Sequence, residues 1–360
     1  MKDPCLAFAP IQTRNYVLAC FIVHLIQGNT INSIFVKSKT LKGYVKAVIN
    51  LHLERNLPNP TKVRGSSDLV DPLISSIKSY ESVPNRREMI YDNMFNLMLK
   101  TIGLYSEDSL ERSILDWIIL GRVTGARKSE WCQDSQSIAL TQPSIHHVPL
   151  QPLAFILDDF TFHSPNQHIL HITPDIDTST IATVIIKWRY QKNNNNGEKI
   201  PFTRDWKRPH ICPVLAAYRI IRRAQRLRLP PDSPLATYSK NTSYAYITAT
   251  QVTSYLRTFA KSAFGLKDND PQLDKWSCHS IRVTAANLLH RAKMSDSYIQ
   301  TRLRWKSTAF LDYLRNTIYT AQLHTDALAI SPLHLPHLST ADTRHRPSSS
   351  MEQFLESNRR

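Results

Sequence analysis

The sequence predicts a mainly α chain with one small β-sheet, an α+β fold in two domains. Three observations carry that expectation. Apolar residues recur at helical spacing in most long segments, as at Leu18, Phe21, Ile22, Leu25 and Ile26. Runs of β-type residues flanked by breakers are confined to the stretch between Pro152 and Phe202. The length of 360 residues suits about two domains, and a hydrophobic fraction of 42% is ordinary for a globular chain.

The first helix stops at Gly28. A second is expected over Thr40 to Arg55, with Leu41, Tyr44, Val45 and Val48 as its apolar side. Lys39, Lys42 and Lys46 line another side, a stripe that suits a phosphate backbone or a merely solvated face. Pro58 and Pro60 break the pattern, and Asp71-Pro72 reads as the cap and first turn of a third helix. A fourth follows Pro84-Asn85, with Ile90, Met94, Leu97 and Met98 on one face. Residues 1–104 therefore read as an all-helical binding module, without an acid pair, a nucleophile–base pair or metal-ligand spacing.

The second domain is expected over 105–325. Asp108 and Glu111 resemble a capping box, Leu110, Ile114, Trp117 and Ile118 give an apolar face, and Gly121 ends the helix. Gly125 permits a sharp turn into Arg127, with Glu130 one helical turn on; this is either an anion site or a surface ion pair. Strands are expected at Pro152–Leu157, Gln167–Thr173 and, most clearly, Thr183–Tyr190, and Asn196-Gly197 signals a hairpin. Lys192 sits where strand meets turn; Lys187 and Lys199 are nearby alternatives for a reaching ammonium. A helix over Pro213 to Leu229 carries Arg219, Arg222, Arg223, Arg226 and Arg228 with no acid among them, which suits contact with a DNA backbone. Another helix is expected over Tyr244 to Phe264, facing inward through Val252, Tyr255, Leu256 and Phe259. Ser297 and Gln300 read as a capping box for a later helix. The tail, 326–360, has no sustained period and reads as disordered.

The net charge of +16 favours a polyanionic partner, nucleic acid before an anionic membrane surface. Five scattered cysteines without Cys-x-x-Cys spacing argue against a disulfide framework or a zinc site. With only 8 glycines and no phosphate-cradling loop, no nucleotide cofactor is expected. The apolar run from Tyr16 to Ile26 is too short to span a bilayer and contains His24, so no membrane association is expected.

The chemistry concentrates near the end. His279 and Arg282, three apart, share one helix face. Arg offers a fork of donors that fits a phosphate, His can exchange a proton near neutrality, and a downstream Tyr hydroxyl can act as nucleophile. Trp305 and Tyr313 follow, eight residues apart.

Taken in order, these segments resemble the tyrosine recombinases, the phage-integrase-type site-specific recombinases. Thr124-Gly-Ala-Arg-Lys-Ser-Glu130 is similar to the family's first Arg box. His279-Ser-Ile-Arg282 matches its His-x-x-Arg box, Trp305 takes the place of its second His, and Tyr313 takes the nucleophile position. The segment around Trp305 and Tyr313 looks closest to Crypton- and DIRS-type mobile-element recombinases. The resemblance spans residues 10 to 325 and implies a helical core-binding domain followed by a catalytic domain, together clamping double-stranded DNA.

It further implies the following roles. Tyr313 attacks a phosphodiester to form a 3′-phosphotyrosyl link, with Tyr319 in reserve. Arg127 and Arg282 stabilise the pentavalent transition state, His279 assists proton transfer, and Lys192 protonates the leaving 5′-oxygen. Trp305 donates to the phosphate or packs the pocket, and Glu130 orients its neighbours. The implied enzyme recombines or integrates DNA without metal, ATP or other cofactor. It works as a homo-tetramer on paired sites, with a dimer on each as one arrangement, in the nucleus of a eukaryote or the nucleoid of a bacterium. Two alternatives remain at this point: a catalytically inactive domesticated DNA-binding protein, and a type IB topoisomerase-like enzyme.

Overall fold

The computed structural model describes residues 6–28, 36–62, 68–81, 86–132, 153–191, 195–314 and 325–326. Lys192, Tyr319 and the tail beyond Asp326 lie outside the described residues. The chain forms two compact units, Met1–Asn85 and Arg86–Arg360. It is mainly helical with a small antiparallel sheet, as the sequence predicts.

The first unit holds α1 (Ile11–Ile26), α2 (Ser38–Glu54) and α3 (Val70–Tyr80). Leu18, Ile22 and Leu25 of α1, Leu41 and Val45 of α2, and Val70 and Ile74 of α3 close one small core. Buried Asn15 pins the connection to α3: its amide donates to Pro60 O and Asp68 Oδ1, and its own oxygen accepts from Leu69 N. With α2 packed through Leu41 and Val45, Lys39, Lys42 and Lys46 stand exposed on its other side.

The division falls at 85/86 and not near 104, because α4 (Asp92–Thr101) belongs to the core of the second unit. Met94, Phe95 and Met98 are buried there. The lead-in segment is tied down as well: Trp276 Nε1 donates to Met89 O at 3.0 Å, and Ile90 N donates to Thr284 Oγ1 at 2.8 Å. Helical periodicity tells that a face is buried but not which core receives it.

After α4 come α5 (Leu110–Thr124), the single turn α6 (Lys128–Trp131), β1 (Phe160–His163), β2 (Ile169–Leu170), β3 (Thr183–Trp188) and β4 (Glu198–Thr203). These strands form one antiparallel sheet in the order β2-β1-β3-β4. Its alternating residues Phe160, Phe162, Val184, Ile186, Trp188, Ile200 and Phe202 enter the core, where α7 (Pro213–Arg226) packs on β3 and β4. The hairpin β5 (Thr237–Lys240) and β6 (Ser243–Tyr246) leads to α8 (Ala249–Phe264), α9 (Ser280–Arg291) and α10 (Asp296–Arg302), and a 3₁₀ segment spans Thr308–Tyr313.

Several boundaries differ from expectation for local reasons. The stretch after residue 152 is irregular and ends in a 3₁₀ turn at Leu157–Asp159, although Phe155 is buried as a strand residue would be. The Tyr244 segment is strand, not helix. Thr248 and Gln251 form a reciprocal capping box that starts α8 only at Ala249. Ser109 caps α5 by accepting from Arg112 N, and Ser295 caps α10 by accepting from Tyr298 N, in place of Asp108 and Ser297.

Two glycines set the approach of α5 to the later helices. A Cβ on Gly121 would lie 2.5 Å from Ile281 Cγ2, on a branched side chain at the start of α9 that cannot swing away. Gly125 caps α5 in the left-handed region at φ 58° and lies under Leu303. Gly121→Ala is expected to lower stability by about 1–3 kcal/mol through overpacking, despite alanine's better helix propensity. A urea midpoint at or above that of the wild type would show that the α5–α9 contact has slack.

Candidate active site

Four pieces of chain meet where α5 ends: the α5–α6 turn, the start of α9, the turn after α10, and the 3₁₀ segment at Tyr313. The last carbonyls of a helix have no intrahelical donors and carry partial negative charge. Here two guanidinium groups satisfy them. Arg282 Nη1 donates to Gly125 O, and Arg304 Nη1 donates to Thr124 O at 3.1 Å. Arg282 Nη2 donates to Leu303 O at 2.8 Å, which ties α9 to the turn after α10.

Glu130 is the carboxylate at the centre. Only 4% exposed, it accepts from Arg127 Nη1 and from Arg127 N, both at 2.8 Å. It also accepts from Arg304 Nη2 at 3.0 Å and from Trp188 Nε1 at 3.2 Å. Burial disfavours its charge, but Arg304, then Arg127 and its backbone N–H, then Arg282 more than offset this and hold the carboxyl below the usual range. The Arg127–Glu130 pair is therefore an interior contact, not the surface pair that spacing alone allowed. Arg127 Nη2 donates to Arg304 O at 3.1 Å, so the guanidinium is aimed from two sides.

Arg282 is only 2% exposed. Burial first, then the like charges of Arg127 and Arg304, push its pKa down to about 9. A cation held under such strain gains from any anion placed beside it. Its guanidinium lies 4.3 Å from the centre of the Trp305 ring. The Trp305 ring in turn lies 4.9 Å from that of Tyr313, and the His279 ring lies 5.1 Å from Tyr313 on another side. His279 and Tyr313 are half-buried. The indole Nε1–H of Trp305 is buried without a protein acceptor, although Trp is a donor only. Asn287 Nδ2 holds the backbone of the Tyr313 segment by donating to Tyr313 O at 2.8 Å, and Phe310 anchors the same segment in a small core with Ala285, Ala286, Ile299 and Leu303.

Arg127, Glu130, His279, Arg282, Trp305 and Tyr313 thus share one site. Lys192 lies outside the described residues. Its alternatives Lys187 and Lys199 face each other across β3 and β4. Sequence reasoning missed Arg304, Trp188 and Asn287. Arg304 sits beside Trp305 in the chain, and nothing in the local pattern marks it as interior.

Three of the arginines of α7 have carboxylate partners within the protein. The helix has no acid of its own, but α5 and the turn before it supply Asp116 and Asp108. Arg223 donates to buried Asp116 at 2.7 Å and to Glu107 O at 2.8 Å, Arg219 pairs with Asp116, and Arg226 pairs with Asp108 at 2.6 Å. Arg219, Arg223 and Arg226 therefore join α7 to α5 and its lead-in turn through carboxylates. Arg222 bonds to the neutral side chain of Gln225. Among the described residues no group of three or more His, Cys, Asp or Glu could hold a metal, and no helix is long and apolar enough to cross a membrane.

No family profile and no curated protein matches the sequence. Solved structures do match. The Tn1549 transposon integrase in complex with circular intermediate DNA is 14% identical over 89% of this chain and 87% of that chain, with a TM-score of 0.47. The XerH site-specific recombinase bound to palindromic difH substrate is 13% identical over 88% and 72%, with a TM-score of 0.48. A lambda integrase dimer bound to a COC′ core site is 12% identical over 88% and 83%, with a TM-score of 0.43.

Proposed function

We propose that the chain is a tyrosine recombinase that cuts and rejoins double-stranded DNA through a covalent link to Tyr313. The observation that carries the reading is the Tyr313 ring held between His279 and Trp305, with the buried Arg282 fork under Trp305 and Arg127 aimed from the adjoining turn. A phenol, an imidazole and two guanidinium groups at one site suit phosphodiester transfer.

In this reading the Tyr313 oxygen attacks the scissile phosphorus as its proton leaves with help from His279. The 3′-oxygen side of the phosphate becomes a phosphotyrosyl ester, and the 5′-oxygen departs with a proton from a lysine, by resemblance Lys192. Arg127 and Arg282 stabilise the charge on the non-bridging oxygens, and Trp305 Nε1 donates to one of them. The ester conserves the bond energy, so rejoining is the same step reversed, with no ATP. Four copies on two DNA sites would complete an exchange, as encoded by a mobile element.

The test is a nicked suicide duplex that loses its 5′-hydroxyl fragment on cleavage. A denaturant-stable protein–DNA adduct is expected in the presence of EDTA, with the DNA mapped to Tyr313 by peptide mass. No adduct on any duplex that the protein binds would leave the inactive DNA-binding alternative.

Binding should also be electrostatic. The affinity for duplex DNA is expected to fall linearly on a log–log salt plot with a slope of about −0.9 per phosphate neutralised. Replacing Lys39, Lys42 and Lys46 together by Ala is expected to reduce that slope by about 2 to 3. An unchanged slope would remove α2 from the DNA interface.

A further inference from the structure

Arg304 adopts φ 58°, a conformation that glycine takes freely and side chains disfavour. Arg228 after α7 and Lys293 after α9 take the same left-handed turn at helix ends, but at Arg304 the turn lies inside the candidate site. The guanidinium is stacked 3.9 Å over the Trp188 ring of β3, donates through Nη2 to Glu130 and through Nη1 to Thr124 O. The backbone matters too. Leu303 O receives Arg282 Nη2, and the next carbonyl, Arg304 O, receives Arg127 Nη2. One left-handed turn therefore supplies an acceptor to each of the two arginines proposed to hold the scissile phosphate.

We propose that Arg304 is a positioning residue: the fully buried second counterion of Glu130, which shares the carboxylate with Arg127 and aims it, so that part of the Arg127 charge and that of Arg282 are left for the DNA. The inference rests on the recombinase reading. A glycine would suit the backbone angle better, yet it would leave Arg127 as the one arginine bonded to Glu130. Arg127, already bonded to the carboxylate, would then carry its charge alone and have less to offer a phosphate. The groups facing Glu130 are Arg127 from its own turn, Arg282 from α9, Arg304 from the turn after α10 and the uncharged indole of Trp188. Removing Arg304 deletes the largest offset to burial, so the Glu130 carboxyl is expected to titrate at higher pH than in the wild type.

The experiment uses the full chain as wild type, Arg304→Gly and Arg304→Lys, with single-turnover adduct formation at saturating protein. Arg304→Gly is expected to bind the duplex within a few-fold of wild type and to form adduct about 10²-fold more slowly. Its rate should fall on the acid side at higher pH than the wild-type rate, and ethylguanidinium in solution should restore part of it. A wild-type rate with an unshifted acid limb would overturn the proposal. Titration of the Glu130 carboxyl by ¹³C NMR gives a readout independent of cleavage. If the wild type forms no adduct, the recombinase reading falls, and an unshifted Glu130 in Arg304→Gly would still refute the counterion role. Should the Gly variant not fold, Arg304→Lys decides. It keeps the charge but cannot serve Glu130 and Thr124 O as a fork, so a wild-type rate and pH profile would overturn the proposal.

Discussion

Tyr313→Phe is expected to bind duplex DNA as the wild type does and to form no covalent adduct, a loss on the order of 10⁴-fold or more, as for removal of a nucleophile. The substitution removes one oxygen and little else. The ring keeps its contacts with His279 and Trp305, and Asn287 still donates to the backbone carbonyl of residue 313. Thermal stability should therefore move by less than about 1 kcal/mol. Binding through exposed lysines such as Lys39, Lys42 and Lys46 should be untouched. Adduct surviving at the wild-type level would put the nucleophile elsewhere. Tyr319 is then the next residue to replace, and loss of adduct in Tyr319→Phe would move the assignment six residues along the chain.

The reach of the sequence differs between backbone, site and surface. Helices with a single buried face, such as α1, α2 and α8, are readable because burial repeats every three to four residues. The identity of the buried partner is not in the period, and so α4 is found in the second unit's core. The site residues Arg127, Glu130, His279, Arg282, Trp305 and Tyr313 were legible as an ordered set of chemical types. Their convergence depends on contacts that no local pattern encodes: Gly121 against Ile281, and the carbonyls of Thr124 and Gly125 open to arginines from 157 and 180 residues away. Arg304 was invisible for the same reason. An arginine interior to a protein looks like a solvated one until its carboxylate is located in space. The α7 arginines show the converse: a helix without acids of its own reads as a row of unpaired charge, but Asp108 and Asp116 reach Arg219, Arg223 and Arg226 from α5 and the turn before it.

Arg282→Ala is expected to reduce adduct formation by about 10²–10³-fold, or roughly 3–4 kcal/mol, the range for removing one preorganised donor group from a developing oxyanion. A larger loss is consistent with the geometry, since this arginine also holds the site together. Without it, Gly125 O and Leu303 O lose their donor inside the protein, at about 1–3 kcal/mol for each unpaired buried group. Trp305 loses the cation beneath its ring. Stability and cleavage must therefore be read together, and Arg282→Lys separates them. Lysine keeps a positive charge near the phosphate but presents a point donor where the site is built around a planar fork. It should recover DNA affinity and part of the stability while cleavage stays at least about tenfold below wild type, because two carbonyls and a phosphate cannot be served from one ammonium along fixed directions. Cleavage by Arg282→Ala within a few-fold of wild type would mean that the fork is a structural bolt between α5 and the turn after α10. The phosphate would then have to be held by Arg127 and Trp305 alone.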